Sequence, residues 1–150
     1  MIEYRTEVDD SYRTKIVKEK EVEYDCSNFD SPKKIVALMN EVFRMDKLAE
    51  EYVYLLCMNS KNRLIGVFEI GHGTADASLV SPRDVFMKSL MVGAVNIVVV
   101  HNHPSGVTCP SNDDLKTYDA LKKASELIKI KMIDFIIIGR NDFTSFAEKE

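Results

Sequence analysis

One short segment constrains the fold of this chain more than any other. Residues 96–100 are an asparagine, an isoleucine and three valines, so the segment is β-branched and apolar on both faces. A strand of this kind is typical of the centre of a sheet that is covered on both sides. We therefore expect a sheet with helices packed against it. We expect functional residues at the end of this strand, where open sheets place their sites.

Three helix starts are visible in the flanking sequence. Ser-Pro pairs occur at 31–32 and 81–82, and Ser111 precedes a third helical segment. Serine can cap free N–H groups at the start of a helix, and proline fits the first helical turn. The third segment has apolar residues at Leu115, Tyr118, Leu121 and Leu127.

The remaining elements predict strands. Apolar, β-rich runs at 52–58 and 64–70 enclose a short polar turn and predict a hairpin. Residues 132–138 form a second buried-looking strand, and 143–146 a short final one. The predicted order is helix, two strands, helix, strand, helix, two strands. It indicates an α/β fold, a single domain with a mixed β-sheet sandwiched between helices.

The length and composition fit one domain with a substantial core. The chain has 150 residues, of which 45% are hydrophobic. A chain of this size needs no metal merely to fold, so a metal site would be functional. Residues 1–30 mix acids and bases without a core-forming period and predict an N-terminal arm or edge strand. Residues 31–150 are predicted to form the folded domain.

Charge and cysteine content limit the classes of function. The chain has 20 Lys+Arg against 24 Asp+Glu, a net charge of −4, which weakens a nucleic-acid-binding interpretation. Its three cysteines are widely spaced and favour neither a disulfide framework nor a cysteine-rich zinc site. We therefore expect a cytoplasmic protein. No leader-like start or long apolar run occurs, so we expect no membrane association.

The strongest chemical signal follows the central strand directly. His101 and His103 are two residues apart, and residues i and i+2 of a strand project to the same side. Both imidazoles could therefore bind one metal ion. The alternative is a pair of structural histidines that hydrogen-bond to the backbone, and the pair alone leaves both interpretations open.

Asp114 favours the metal interpretation. It lies at the beginning of the next helix and could supply a carboxylate ligand. Two imidazoles, one carboxylate and a water form a catalytic zinc site, although iron, cobalt or manganese stay open. The competing interpretation is local: Ser111 is a good N-cap, and Asp114 stands where an acid can complete a capping box.

A zinc hydrolase also needs a carboxylate that takes a proton from the attacking water. Glu50 and Glu51 begin the first hairpin strand, and their side chains must point to opposite faces. The pattern alone does not select one of them. Glu69 is a third candidate, but its position inside a strand equally fits cross-strand pairing.

Taken together, these residues resemble a known family. The spacing of His101, His103-Pro104, Ser111 and Asp114 matches the JAMM (MPN+) metalloprotease motif, and the surrounding sequence is similar to the bacterial RadC family. The similarity covers roughly residues 35–148. Further matching segments are Glu51 with 55–59, Gly73-Thr74, 82–86, 137–139 and Ser145-Phe146.

The resemblance implies specific roles. It makes Glu51 the acid that activates water, His101, His103 and Asp114 the zinc ligands, and Ser111 the residue that stabilises the oxyanion. It also implies that residues 31–150 form a RadC-like JAMM domain, an α/β sandwich similar to cytidine deaminases. Deaminase activity itself is not expected, because the ligand motifs of those enzymes are missing.

Three positions depart from the family pattern or fall outside it. Phe135 follows Asp134 where relatives commonly have a histidine, so an accessory histidine is absent. Cys109 lies between the histidines and Ser111. It is expected to be a loop residue, with a redox gate or a fourth ligand as alternatives. His72 is expected at the surface, with substrate contact as the alternative.

The sequence thus predicts a zinc-dependent hydrolase. Its expected substrate is a peptide, an isopeptide or a small amide, cleaved by a metal-activated water. A second hypothesis is a non-catalytic or accessory RadC-like protein linked to DNA repair, which keeps the metal site for stability. Its nucleic-acid partner is the less favoured alternative because of the acidic net charge.

Overall fold

The computed structural model of the protein describes residues 1–73 and 80–149. Within those ranges the chain forms a seven-stranded sheet and four helices. The strands are β1 (Ile2–Val8), β2 (Thr14–Glu21), β3 (Glu51–Met58), β4 (Leu64–Gly73), β5 (Asn96–Asn102), β6 (Lys131–Ile138) and β7 (Phe143–Ser145). The helices are α1 (Pro32–Phe43), α2 (Pro82–Met91), α3 (Asn112–Ile128) and α4 (Phe146–Lys149).

The sheet is mixed, in the order β2-β1-β4-β3-β5-β6-β7. Strand β1 pairs with β4 in parallel, and β5 pairs with β6 in parallel. The other neighbouring strands are antiparallel. The prediction of an α/β fold with a mixed sheet between helices is confirmed.

Strand β5 is buried on both faces, as its sequence predicts. Val98 and Val100 belong to the core cluster that includes Leu38 and Met39 of α1. The alternate residues Ile97 and Val99 belong to the opposite cluster, which contains Phe86 of α2 and Leu121 of α3. Each face of the strand is therefore covered by its own helical layer, and the strand's end is held from both sides.

The predicted helix starts are confirmed, but only one of the three serines caps its helix through its side chain. Ser31 and Ser81 are N-caps followed by proline, and their side chains make no capping hydrogen bond. The Ser111 side chain accepts a hydrogen bond from the Asp114 N–H. Because its hydroxyl fixes the first turn of α3, Ser111 determines where that helix begins.

The apolar residues of α3 do not all face the core. Leu121 is fully buried, whereas Leu115 is 45% and Leu127 83% exposed. Both exposed residues are six positions from Leu121, which at 3.6 residues per turn places them well away from its face. The sequence shows which residues of α3 are apolar, but it does not show which face of the helix is buried.

The N-terminal residues build an antiparallel hairpin of β1 and β2. Strand β1 joins the main sheet through β4, and β2 lies at the edge. Most residues of β2 are exposed. Charged residues suit such an edge, because they discourage pairing with another chain.

The last segment is shorter as a strand than predicted, since β7 ends at Ser145 and Phe146 begins α4. The Asp134 carboxylate accepts hydrogen bonds from the Ser145 hydroxyl (2.6 Å) and the Ala147 N–H (3.0 Å), which ties this turn to β6. None of the helices in the described ranges is long and apolar enough to cross a bilayer.

Candidate metal centre

The centre forms where β5 leaves the sheet. His101, at 3% exposure, continues the face of Ile97 and Val99. The chain then bends toward β6, because the His103 N–H donates to the Ile138 carbonyl at 2.8 Å. The two imidazole centroids are 4.8 Å apart and the rings lie at 86° to each other. The histidines thus lie side by side, as their spacing predicts.

A close backbone approach supports the loop that carries His103. The Gly106 N–H donates to the His103 carbonyl at 2.9 Å. The Gly106 carbonyl oxygen would lie only 2.6 Å from a Cβ placed on Gly139, which follows β6. A side chain at that position would push the loop away from the sheet, so the absence of a Cβ at Gly139 helps to place His103.

The orientation of the His103 ring is fixed by a backbone carbonyl. Its Nδ1 lies 2.7 Å from the Val107 carbonyl oxygen, so this nitrogen carries the proton and donates. Nε2 then faces Oδ2 of Asp114 at 3.2 Å. If the ring is neutral, a nitrogen lone pair faces a carboxylate oxygen, and a proton or a cation between them makes the arrangement favourable. A carbonyl on the outer nitrogen is the usual outer partner of a metal-ligating histidine.

Asp114 faces inward because of its position on α3. It precedes the buried residue Leu121 by seven positions, close to two helical turns, so both lie on the buried stripe. Its exposure is 1%. Oδ1 lies 3.2 Å from Nδ1 of His101, and Oδ2 lies 3.2 Å from Nε2 of His103. Oδ2 also accepts the Ser111 N–H at 2.8 Å, which completes a capping box.

Asp114 is ionised despite its burial. Burial acts to raise the pKa of its carboxyl group, but the hydrogen bonds with His101, His103 and the Ser111 backbone together hold that pKa well below its usual range. Asp114 in turn raises the pKa of His103, helped by the Val107 carbonyl and opposed by burial. A buried negative charge of this kind favours a cation beside it.

The structure distinguishes Glu51 from Glu50. Oε2 of Glu51 lies 3.2 Å from Nε2 of His101, and 22% of the Glu51 side chain is exposed. Glu50 points the other way and contacts Nε2 of His72. Glu69 is exposed on β4 and is paired with Tyr54 of β3, which fits the cross-strand interpretation.

These positions suit a transition metal. Glu51, His101 and His103 each offer one ligand atom, and the three atoms lie within 4.8 Å of one another. In a tetrahedral zinc site with bonds of about 2.0–2.1 Å, neighbouring ligand atoms are about 3.3 Å apart. The 3.2 Å separation between His103 and Asp114 is close to that value. This group is completed by Glu51, and the predicted ligand Asp114 is not one of its members. Asp114 faces Nδ1 of His101, whereas Glu51 faces Nε2, so an ion held by Asp114 would use a second, alternative ligand set.

Comparison with known proteins agrees with this geometry. The family model described as the RadC-like JAB domain matches residues 29–150. The chain belongs to the RadC-like JAB domain family. A UPF0758 protein of Clostridium tetani is 35% identical over 123 residues, covering 82% of this chain and 53% of the relative. A UPF0758 protein of Thermotoga maritima is 34% identical over 130 residues, covering 87% and 57%. A third, from Chlorobium phaeovibrioides, is 41% identical over 105 residues, covering 70% and 47%.

The chain spans about half the length of the curated relatives it matches. The names of these relatives state no activity. The comparisons therefore establish the family of this JAB domain, and its chemistry has to be argued from its own residues.

Ser111 of this JAB domain can combine its two expected roles. Its Oγ accepts the Asp114 N–H at 3.0 Å, which is the capping interaction. A serine hydroxyl also has one proton to donate, and accepting a hydrogen bond does not use it. The helix cap therefore holds the hydroxyl in place and leaves its proton available.

The remaining candidates lie outside the metal group of the JAB domain. Cys109 is exposed, its Sγ lies 3.9 Å from the Pro110 carbonyl oxygen, and it is absent from the ligand group found in the described ranges. His72 stacks on Tyr52, with ring centroids 4.0 Å apart, and lies at the surface as expected. Thr74 falls outside the described residues.

Phe135, where the family resemblance led us to note the absence of a histidine, packs against two aromatic rings. Its ring centroid lies 5.9 Å from that of Tyr118 and 5.0 Å from that of Phe146. This position therefore serves the core of the domain. The role of the Val107 carbonyl could not be predicted from the sequence, because a backbone acceptor leaves no signal in residue identity. Gly139 lies in a segment that matches the family, but its close contact with the loop is visible only in the structure.

Proposed function

We propose that this JAB domain is a zinc-dependent hydrolase of the JAMM type that cleaves an amide bond, peptide or isopeptide. One observation carries the proposal. Two imidazoles, a buried ionised carboxylate and a second, partly exposed carboxylate converge at the end of β5. Such a set combines ligands for a divalent metal with an acid that solvent can reach.

His101, His103 and Asp114 would hold the zinc. Asp114 is preferred to Glu51 as third ligand because it is almost fully buried, whereas part of the Glu51 side chain is open to solvent. Bound zinc polarises a carbonyl and lowers the pKa of water toward about 7. Two carboxylates beside two neutral imidazoles balance the charge of a divalent ion.

Glu51 would move the proton. Its carboxylate accepts the proton of the attacking water and then gives it to the leaving amine. Oε2 of Glu51 lies beside His101, so the carboxylate is next to the ligands while part of its side chain stays exposed to solvent. Ser111 would donate its free hydroxyl proton to the oxyanion that develops on the carbonyl, an interaction worth about 3 kcal/mol in comparable sites.

The cellular setting belongs to the same proposal. Cys26, Cys57 and Cys109 are free thiols, which fits a reducing cytoplasm. The substrate would be a peptide, an isopeptide-linked protein or a small amide, selected by the surface around the centre. A non-catalytic protein that keeps the metal for stability is the alternative outcome.

The first test measures metal content and turnover together. Protein purified without added zinc should contain zinc, and His103→Ala should contain none. Glu51→Gln should keep the metal and lose turnover on a panel of isopeptide-linked proteins, peptides and small amides. Equal metal content in the parent and His103→Ala would remove the metal site. A metal-loaded parent that hydrolyses nothing on the panel would favour the non-catalytic alternative.

A further inference from the structure

Asn102, the last residue of β5, lies on the face of the strand opposite His101 and is an unusual residue for that face. Val98 and Val100 precede it on this face and belong to the apolar core beside α1. Asn102 is nonetheless an amide with 0% exposure. Burial of an amide is unfavourable unless each of its polar atoms finds a partner. Both polar atoms of the Asn102 amide therefore need hydrogen-bond partners inside the protein.

Both polar atoms of the Asn102 amide bind backbone groups next to Glu51, one just before β3 and one within it. Oδ1 accepts a hydrogen bond from the Tyr52 N–H at 2.6 Å. Nδ2 donates to the Glu50 carbonyl at 2.9 Å. Only this orientation of the amide matches a donor with an acceptor at both positions. The side chain thus forms hydrogen bonds with the backbone immediately before and immediately after Glu51.

The course of β5 explains why a side chain is needed there. The backbone pairing of β3 with β5 runs from Met58↔Asn96 to Val53↔His101 and stops. Beyond that point the His103 N–H bonds to Ile138 of β6 instead. The backbone groups flanking Glu51 have no further partner in the β5 ladder, and the Asn102 amide takes the place of one.

We propose that Asn102 is a positioning residue, which holds the start of β3 so that the Glu51 carboxylate stays beside His101. The inference rests on the proposed function, since it assigns Glu51 the proton transfer. Strand ends open more readily than strand centres. A displacement of about 1 Å at a reacting group can cost about 100-fold in rate. A clamp on both sides of Glu51 limits such movement without touching a metal ligand side chain.

Asn96 offers a matched control. It begins the same strand, and its Nδ2 donates to Asn62 Oδ1 at 2.8 Å, so it also fixes a neighbouring segment through an amide. It lies at the end of β5 remote from the centre. Asn102→Ala and Asn96→Ala, compared in the full chain, therefore remove the same kind of group at opposite ends.

The expected results separate positioning from general stability. In zinc-loaded protein, Asn102→Ala should lower kcat by about 10- to 100-fold with KM and zinc affinity unchanged. Asn96→Ala should leave kcat unchanged. In the Glu51→Gln background, Asn102→Ala should cause no further loss of the residual rate. Equal losses of kcat and zinc affinity would mean that Asn102 acts through the ligand loop, which overturns the proposal.

Two readouts need no turnover. Amide exchange in the parent should show the Tyr52 N–H protected like the ladder amides of β3, and free exchange at Tyr52 overturns the proposal even if Asn102→Ala does not fold. In zinc-free protein, the His101 ring nitrogen shifts should move in Asn102→Ala toward those of Glu51→Gln, and unchanged shifts would also overturn it. A parent without activity on the amide panel would defeat the proposed function alone, and these readouts would still decide the role of Asn102.

Discussion

Two buried aspartates of this domain are held in opposite ways. Asp114 is 1% and Asp134 6% exposed, so burial alone does not distinguish them. The pKa of the Asp114 carboxyl lies far below its usual range, because its hydrogen bonds to two histidines and to the Ser111 N–H outweigh burial. Burial raises the pKa of Asp134, and hydrogen bonds from the Ser145 hydroxyl and from backbone N–H groups only partly oppose it.

The hydrogen-bond partners of the two carboxylates distinguish a candidate metal ligand from a structural carboxylate. Asp134 uses its oxygens to tie β7 and α4 to β6, and its partners are a neutral hydroxyl and neutral backbone groups. Asp114 meets two imidazoles whose nitrogens can bind a cation. A buried carboxylate is therefore a structural feature when its partners are neutral donors. It becomes a ligand candidate when its partners are ligands themselves.

Replacing each aspartate by asparagine separates the two aspartates directly. Asp114→Asn should lower zinc affinity by at least about 100-fold, since even outer partners of a ligand are worth about 10- to 100-fold. Asp134→Asn should leave zinc affinity unchanged. Competition with a chromophoric chelator measures both. Similar affinities for the two variants would contradict the choice of Asp114, and a large loss in Glu51→Gln would point to the other ligand set.

The next effect concerns the loop that brings His103 to Asp114. Gly139→Ala would place a Cβ 2.6 Å from the Gly106 carbonyl oxygen and 2.8 Å from Thr108 Cγ2. The loop must shift, and zinc affinity should fall by about 10-fold.

Gly66→Ala is the matched control for this loop. Its Cβ would lie 2.4 Å from the Tyr4 ring, so it also disturbs packing. Gly66 pairs with Cys57, whereas Glu51 pairs with Gly73 at the other end of β4. Gly66→Ala should therefore lose stability and keep its zinc affinity. Unchanged affinity in Gly139→Ala would show that the loop position does not depend on that contact.

Asp134 predicts a pH dependence of stability with a defined sign. Its pKa is raised in the folded protein, so the folded state binds the proton more tightly than the unfolded state. The free energy of unfolding therefore contains a favourable contribution at low pH, which is lost as pH rises through the folded pKa. Glu148 is nearby and its charge acts in the same direction as burial.

Asp134→Asn should remove this dependence. Asparagine keeps an acceptor for the Ala147 N–H, and its amide nitrogen would donate to the Ser145 oxygen, the reverse of the hydrogen bond that Asp134 accepts from this hydroxyl. The free energy of unfolding of the variant minus that of the parent should be larger at pH 7 than at pH 4. Urea unfolding of zinc-free protein at several pH values measures the difference. A parent that gains stability over Asp134→Asn as pH rises would reverse the assigned sign.

Much of this arrangement could be predicted from the sequence. The apolar pattern of residues 96–100 indicated a strand covered on both sides, and the structure confirms it. The spacing of His101, His103 and Asp114 named side chains that the structure brings together, although their roles stay predictions. These features depend on local periodicity, and local periodicity is what a sequence displays.

The features that the sequence did not predict depend on contacts between distant segments or on loop conformation. The choice between Glu50 and Glu51 follows from the register of β3 against β5, and the residue pattern alone left it open. The family resemblance selected Glu51, and the structure places it beside His101. The Val107 carbonyl depends on a loop conformation that residue identity does not reveal.

The smallest expected effect tests the helix that carries Asp114. Leu127 is 83% exposed, whereas Leu121 is fully buried on the stripe shared with Asp114. Leu127→Ser should change the free energy of unfolding by less than about 0.5 kcal/mol, as is usual for surface positions. Leu121→Ala, as the reference, should cost about 2–5 kcal/mol. Comparable losses in urea unfolding would mean that α3 buries a different face, and the inward position of Asp114 would lose its physical basis.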